Sequence, residues 1–183
     1  HVKLIVAKRE EVCYTHCIAG RHSSPLHRIA GVVALSCLGV AMQIIDIIGR
    51  NWKVTLPTGK AGKPDEIKMP ALATYTGPHF SLNDTGDGVV FVAPTDGVTT
   101  PNSKNPRSEL REMEANGAIM ASWSSPVGAH SMEVEIVIDE VPQGSKPHVV
   151  VAQIHDKNDD VCVFRWEGDT VTDRSLGKLW ITD

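Results

Sequence analysis

Short strand-like segments separated by turns fill the chain from residue 51 onward, and they limit its possible folds more than any other feature. The candidate strands are 51–56, 79–83, 88–93, 107–114, 118–124, 129–138, 148–155, 161–167 and 178–182. Turn-forming residues lie between them, as at 83–88 and 142–145, and no long segment repeats its apolar residues with the helical period. This spacing predicts an all-β chain folded as an antiparallel β-sandwich.

Charge and length limit the possible functions. The chain has 183 residues and a net charge of −4, enough length for one domain with its own core. Residues 1–50 carry more bases than acids, so the acidic excess lies in residues 51–183. A generally basic surface is absent, and we therefore expect no nucleic-acid partner. An acidic substrate would have to be held by a local cluster around Lys104, Arg107 and Arg111.

An apolar run at residues 29–42 is similar to the core of a secretory signal, because basic and histidine residues precede it and it is short for a membrane span. We predict that residues 1–43 form an N-terminal extension and residues 44–183 one domain, secreted and without a membrane anchor in the mature form. The chain opens on His1, so its first residues are either an upstream artefact of gene prediction or an extended signal. A buried helix or strand is the alternative interpretation of the run.

No metal site or disulfide framework is expected. Three of the four cysteines lie before residue 38. Cys13 and Cys17 with His16 and His22 could be zinc ligands, but their spacing fits no common zinc finger. Three aspartates in a predicted hairpin could be considered as calcium ligands, but acids in such loops are commonly just solvated: Asp156, Asp159 and Asp160.

Two short motifs, RSELR at 107–111 and QIH at 153–155, carry most of the functional information. Alternate side chains of an extended strand share a face, so the arginines and the glutamate of the first motif would project together. The glutamine and histidine of the second motif would do the same. Two such strands side by side would present a set of groups that can hold a carboxylate and move a proton beside it.

The two motifs and their flanking segments resemble the alginate lyases of polysaccharide lyase family 7. The flanking segments lie at 51–59, 64–67 and 161–168, and the resemblance runs in family order from about residue 44 to the end. It implies a β-jelly roll whose concave sheet forms the substrate groove. It also implies an enzyme that cleaves alginate by β-elimination. We expect this enzyme to be endolytic, to be monomeric when full length, and to need no cofactor.

The implied reaction assigns roles to the motif residues. A lyase removes the C5 proton beside the sugar carboxylate and expels the C4 oxygen, so negative charge builds up and must be stabilised. Arg107 is the predicted neutraliser, because its guanidinium can hold a carboxylate in two hydrogen bonds. Gln153 would add an amide donor, and His155 would take the proton or orient the group that does. The remaining charged residues are assigned to substrate binding: Lys104, Glu109 and Arg111.

Each of these residues also has a purely structural interpretation. The arginines and Glu109 could form an exposed ion pair of little energetic value, and His155 could be a hydrogen-bonded strand histidine. Family order favours the functional interpretation, with Glu109 holding the arginines in place more plausibly than acting on substrate. Ile154, at the centre of the second motif, is associated in the family with guluronate-containing or mixed-block bonds.

The resemblance also implies a tyrosine that protonates the leaving oxygen, in a Tyr-x-Lys-x-Gly-x-Tyr-like motif. This motif does not occur in the 183 residues, whose two tyrosines are Tyr14 and Tyr75. We therefore expect a lyase that is incomplete at its C-terminus. Two alternatives stay open: a fragment that binds polyuronates without cleaving them, and a glycoside hydrolase that uses Glu133 and Glu135.

Overall fold

The computed structural model describes the backbone of residues 3–7 and most of the chain after residue 41. The described ranges are 42–114, 117–123, 126, 129, 132, 134–143, 147–158, 160–168 and 177–182. A short helix, α1 (Ile44–Ile48), and a 3-10 turn, Ala71–Thr74, occur in these ranges. Within them, no helix is long and apolar enough to cross a membrane.

Strands make up most of the regular structure. In chain order the described strands are β1 (Lys3–Ala7), β2 (Trp52–Lys60), β3 (Lys63–Lys68), β4 (Phe80–Leu82), β5 (Val89–Val92), β6 (Glu109–Glu114), β7 (Ile119–Met120), β8 (Glu135–Glu140), β9 (His148–His155), β10 (Asp160–Gly168) and β11 (Gly177–Thr182). They form three antiparallel groups with the orders β4-β5-β1-β8, β3-β2-β6-β7 and β11-β10-β9. The predicted all-β antiparallel architecture is confirmed.

Each of the nine predicted strand regions overlaps a strand, whereas β1, β3 and α1 were not predicted. β3 escapes a pattern search because its side chains are mostly exposed and charged, with only Pro64 and Ile67 half-buried. β1 pairs with β5 on one side and with β8 on the other. The apolar run at 29–42 lies outside the described residues apart from Met42, so the division of the chain at residue 43 stays a prediction.

The core forms where α1, β2, the 3-10 turn, β4 and β5 meet. Its fully buried members include Val54, Leu72, Phe80 and Val89. Phe80 and Phe91 are opposite residues of β4 and β5, and their ring centroids lie 5.0 Å apart. An aromatic cross-strand pair of this kind buries a large apolar area and fixes the register of the two strands.

The predicted turn at 83–88 connects β4 with β5 and is organised by one side chain. The Asn83 amide oxygen accepts hydrogen bonds from the backbone N–H groups of Asp87 (3.0 Å) and Gly88 (3.1 Å). Hydrogen bonds from the Thr85 hydroxyl and then from the Asn83 amide lower the pKa of the exposed Asp87 carboxyl. The Asp87 carboxyl therefore stays ionised at lower pH than an ordinary aspartate does, because its pKa is lowered.

Truncation of Phe80 tests this core. We expect Phe80→Ala to lower the free energy of unfolding by about 3–5 kcal/mol, because the ring is fully buried and the strands around it can collapse only partly. Ile181→Ala serves as the control, since Ile181 is 63% exposed and its loss should cost no more than about 0.5 kcal/mol. Urea denaturation measures both, and equal losses would contradict this description of the core.

Candidate active site

The register of β2 and β6 determines which way the side chains of RSELR point. Val54 lies opposite Leu110, and Leu110 packs against the buried core cluster. Side chains alternate along a strand, so Glu109 and Arg111 project from the opposite face of β6. Their partners across the ladder are Thr55 and Lys53 respectively. The predicted alternation is therefore present at Glu109 and Arg111, whereas β6 begins two residues after the predicted start at 107, so Arg107 lies outside the strand.

Arg107 and Glu109 form an ion pair at the start of this motif. Arg107 Nη1 donates to Glu109 Oε2 at 2.9 Å, and the two side chains are 34% and 29% exposed. A pair this open to water adds about 1 kcal/mol or less to stability. It also restrains one end of a guanidinium that still has further N–H donors. The Nε atom of Arg107 is buried and has no hydrogen-bond partner in the described structure.

Ser108 attaches the motif to the strand pair β4 and β5. Its hydroxyl donates to the backbone oxygen of His79 at 2.7 Å. The same oxygen accepts the N–H of Val92 at 3.0 Å, and Nδ1 of His79 lies 3.1 Å from the Val92 oxygen. Arg107 therefore stands next to a residue that is fastened to the core strands.

Arg111 is fixed by the segment that follows β7. Its Nη2 donates to the backbone oxygen of Ala121 at 3.1 Å, and Ala121 is buried. The Nε atom of Arg111 is buried and, like that of Arg107, has no acceptor among the described residues. The two arginines thus supply N–H donors and positive charge on either side of Glu109 in the motif.

The QIH motif lies at the end of β9, in a different group of strands. Gln153 is opposite Val163 and His155 is opposite Asp160, and both motif side chains are half-buried. Within the described residues β9 pairs with β10, while β6 pairs with β2 and β7. The two motif strands are therefore not hydrogen-bonded neighbours. A backbone hydrogen bond of 2.9 Å from Trp123 N–H to the His155 oxygen links the QIH strand to the segment that follows β7.

Other predicted residues lie away from these motifs. Lys104 is exposed in the loop that precedes Arg107. Tyr75 packs on Phe80 with a ring-centroid distance of 6.5 Å, so it is committed to the core. Of the alternative hydrolase pair, Glu135 lies on β8 opposite Ala7, and Glu133 is outside the described residues.

The candidate metal ligands near the N-terminus are likewise outside the described part of the chain, as are Tyr14 and Asp159. Across the residues that are described, no group of three His, Cys, Asp or Glu side chains is placed to hold a metal ion.

Comparison with known proteins gives a consistent result. A family model described as alginate lyase matches residues 45–183. An alginate lyase of Klebsiella pneumoniae is 30% identical, over 60% of this chain and 45% of its own length. The crystal structure of the alginate lyase from Corynebacterium sp. is 46% identical with a TM-score of 0.58, covering 73% of this chain and 56% of that one. A polysaccharide lyase family 7 alginate lyase is 31% identical with a TM-score of 0.52, covering 75% and 65%.

The chain belongs to the alginate lyase family, and its fold is the antiparallel β-sandwich of jelly-roll type. The predicted family and fold are thereby confirmed. The matched region contains both RSELR and QIH. The chain spans about half the length of the curated relative, 45% of it.

Sequence reasoning did not identify the residues that hold the motifs in place. Ser108 was part of a recognised motif without a role, and neither Glu112 nor Trp123 was singled out. Trp123 Nε1 donates to Glu112 Oε2 at 2.9 Å across eleven positions of sequence. No local pattern signals such a contact, because it depends on the β6-β7 hairpin bringing the two residues together.

Removal of the Ser108 hydroxyl tests the attachment of RSELR. We expect Ser108→Ala to lower the free energy of unfolding by about 1 kcal/mol, because a partly buried carbonyl loses a hydrogen bond. Ser103→Ala is the matched control, since its hydroxyl bonds only within an exposed turn and should cost about 0.5 kcal/mol or less. Thermal or urea unfolding measures both; a smaller loss for Ser108→Ala than for Ser103→Ala would contradict this attachment.

Proposed function

We propose that the protein acts as an alginate lyase that cleaves its polymer by β-elimination at the face carrying RSELR and QIH. One observation carries the proposal: the family match at 45–183 includes both motifs, and within it Glu109 holds the guanidinium of Arg107 at 2.9 Å. The substrate would be alginate or a related polyuronate, whose carboxylates are complementary to the arginines.

In the proposed reaction the C5 proton passes to a base, a C4=C5 double bond forms, and the C4–O bond breaks. Arg107 would bind the carboxylate on C5 and stabilise the charge that builds up as the proton leaves. Gln153 would donate a further hydrogen bond from its amide without adding charge. His155, in its neutral form, would accept the proton or orient the group that accepts it. Arg111 and Lys104 would hold neighbouring uronate units by charge.

Protonation of the leaving oxygen has no assigned residue in this scheme. Tyr75 is committed to the core against Phe80, and Tyr14 is outside the described residues. A second candidate function is the binding of polyuronates without cleavage, which the arginines could support by charge alone. The two functions share the same arginine surface and differ only in the proton transfer steps.

The finer parts of the proposal follow from the residues and the family. Ile154 at the centre of QIH supports guluronate or mixed-block preference. We further propose endolytic cleavage, secretion of the protein and a monomeric state. The apolar run at 29–42 supports secretion.

Incubation with alginate tests the function. The new double bond is conjugated with the carboxylate, so a lyase produces ultraviolet-absorbing oligosaccharides, whereas a hydrolase does not. We expect a rise in absorbance on polyguluronate or mixed-block alginate, together with an early fall in viscosity if cleavage is endolytic. Retention on immobilised alginate without any absorbance change would support the binding function instead. If the protein neither binds alginate of any block type nor changes its absorbance, both candidate functions are contradicted.

The role of His155 yields a separate prediction. We expect His155→Ala to lower kcat by about 10²–10⁴-fold, because a group that handles the proton is removed, while KM changes little. His148→Ala is the matched control: it removes the same side chain from the other end of β9 and should leave kcat within about twofold. Steady-state absorbance kinetics measure both variants, and an unchanged kcat in His155→Ala would exclude the residue from the reaction.

A further inference from the structure

We infer that Trp123 and Glu112 are a positioning pair that holds His155 in place relative to the arginines of RSELR. The inference rests on the proposed function, because it concerns the alignment of that site's two halves. The pair joins two strands that do not hydrogen-bond to each other within the described residues, β6 and β9.

Trp123 makes hydrogen bonds to both motif strands. Its backbone N–H donates to the oxygen of His155 at 2.9 Å, and its indole Nε1 donates to Glu112 Oε2, also at 2.9 Å. One residue therefore bonds to the QIH strand through its main chain and to the RSELR strand through its side chain. A hydrogen bond to an ionised carboxylate is roughly twice as strong as one between neutral groups.

The segment that contains Trp123 is also attached to β6 by other hydrogen bonds. Ala121 N–H donates to the backbone oxygen of Glu112 at 3.0 Å, and Arg111 Nη2 donates to the oxygen of Ala121 at 3.1 Å. Three hydrogen bonds thus fix residues 121–123 on β6, and a fourth reaches from there to His155. A shift of this segment would move His155 with respect to Arg111.

Glu112 projects from the face of β6 that is opposite the proposed substrate face. Glu112 follows Arg111 directly in β6, so its side chain projects from the face opposite Glu109 and Arg111. The indole of Trp123 bonds to that carboxylate and therefore supports the strand away from the substrate face. Neither residue has to touch the uronate for the pair to affect the reaction. Misplacing a catalytic group by about 1 Å can cost about 100-fold in rate.

Kinetics of two conservative variants test the pair. Trp123→Phe keeps the ring and removes the N–H donor, and Glu112→Ala removes the acceptor. We expect each to lower kcat by about 10- to 100-fold with KM within about threefold, and the double variant to lose no more than either single one. Glu112→Gln retains an acceptor oxygen and should recover most of the activity. Losses that multiply in the double variant, or a kcat within about twofold in both single variants, would overturn the inference.

Trp180→Phe is the matched control for the loss of an indole. Trp180 Nε1 also donates to a glutamate, Glu167 Oε2 at 2.8 Å, but that bond lies within the β10 and β11 ladder. We expect this variant to keep kcat within about twofold. An equal fall in kcat for Trp180→Phe and Trp123→Phe would mean that any such hydrogen bond matters, and would overturn the specific role of Trp123.

Hydrogen exchange provides a readout that needs no cleavage of alginate. The amide of Trp123 should exchange slowly in the wild-type chain, because it bonds to the His155 oxygen, and Glu112→Ala should speed its exchange by about 10-fold or more. The amide of Phe164, inside β10, serves as the internal reference and should not change. Faster exchange at Trp123 with no alginate cleavage would support the pair while refuting the proposed function. Unchanged exchange at Trp123 would overturn the pair even in an active enzyme.

Discussion

The pairing of β2 with β6 determines which side chains of RSELR face the core and which face away from it. Leu110 lies opposite the fully buried Val54 and packs against the core, which forces Glu109 and Arg111 to the other face. A slip of one residue would move Leu110 into solvent and turn two charged side chains toward apolar neighbours. The apolar core therefore holds the charged site in register, and the site charges need no strong ion pair of their own to stay there.

Much of the fold could be read from the sequence, because alternation and turn residues are local signals. The nine predicted strand regions and the shared face of Glu109 and Arg111 follow from such signals. The pairing of Lys3–Ala7 with β5 and β8 could not be read, since it joins residues far apart along the chain. The hydrogen bond between Trp123 and His155 could not be predicted either, because it also joins residues far apart in sequence and depends on the β6-β7 hairpin and on β9. The sequence thus predicted the strands that carry the two motifs but not the hydrogen bonds that connect them.

In the proposed function, electrostatics give a few side chains a large part in substrate binding. The chain carries a net charge of −4, so its overall field would repel a polyanion, and attraction would have to come from the local arginines. Glu109 accepts one hydrogen bond from Arg107 and restrains that end of the guanidinium. The remaining donors can then meet a carboxylate in a planar, two-bond arrangement that a lysine cannot reproduce. Carboxylate binding in this proposal therefore requires both an arginine side chain and its position in the motif.

The proposed role of Arg107 is tested by the kcat of Arg107→Lys on alginate, with Arg50→Lys as an exposed control outside the motifs. Lysine keeps the positive charge and loses the planar pair of donors. We expect kcat to fall by about 100-fold or more, because stabilisation of the developing charge depends on donor geometry, and the free energy of unfolding to stay within about 1 kcal/mol. A kcat within about threefold of wild type would show that charge alone suffices, and would contradict the assignment of Arg107 as the carboxylate-neutralising residue.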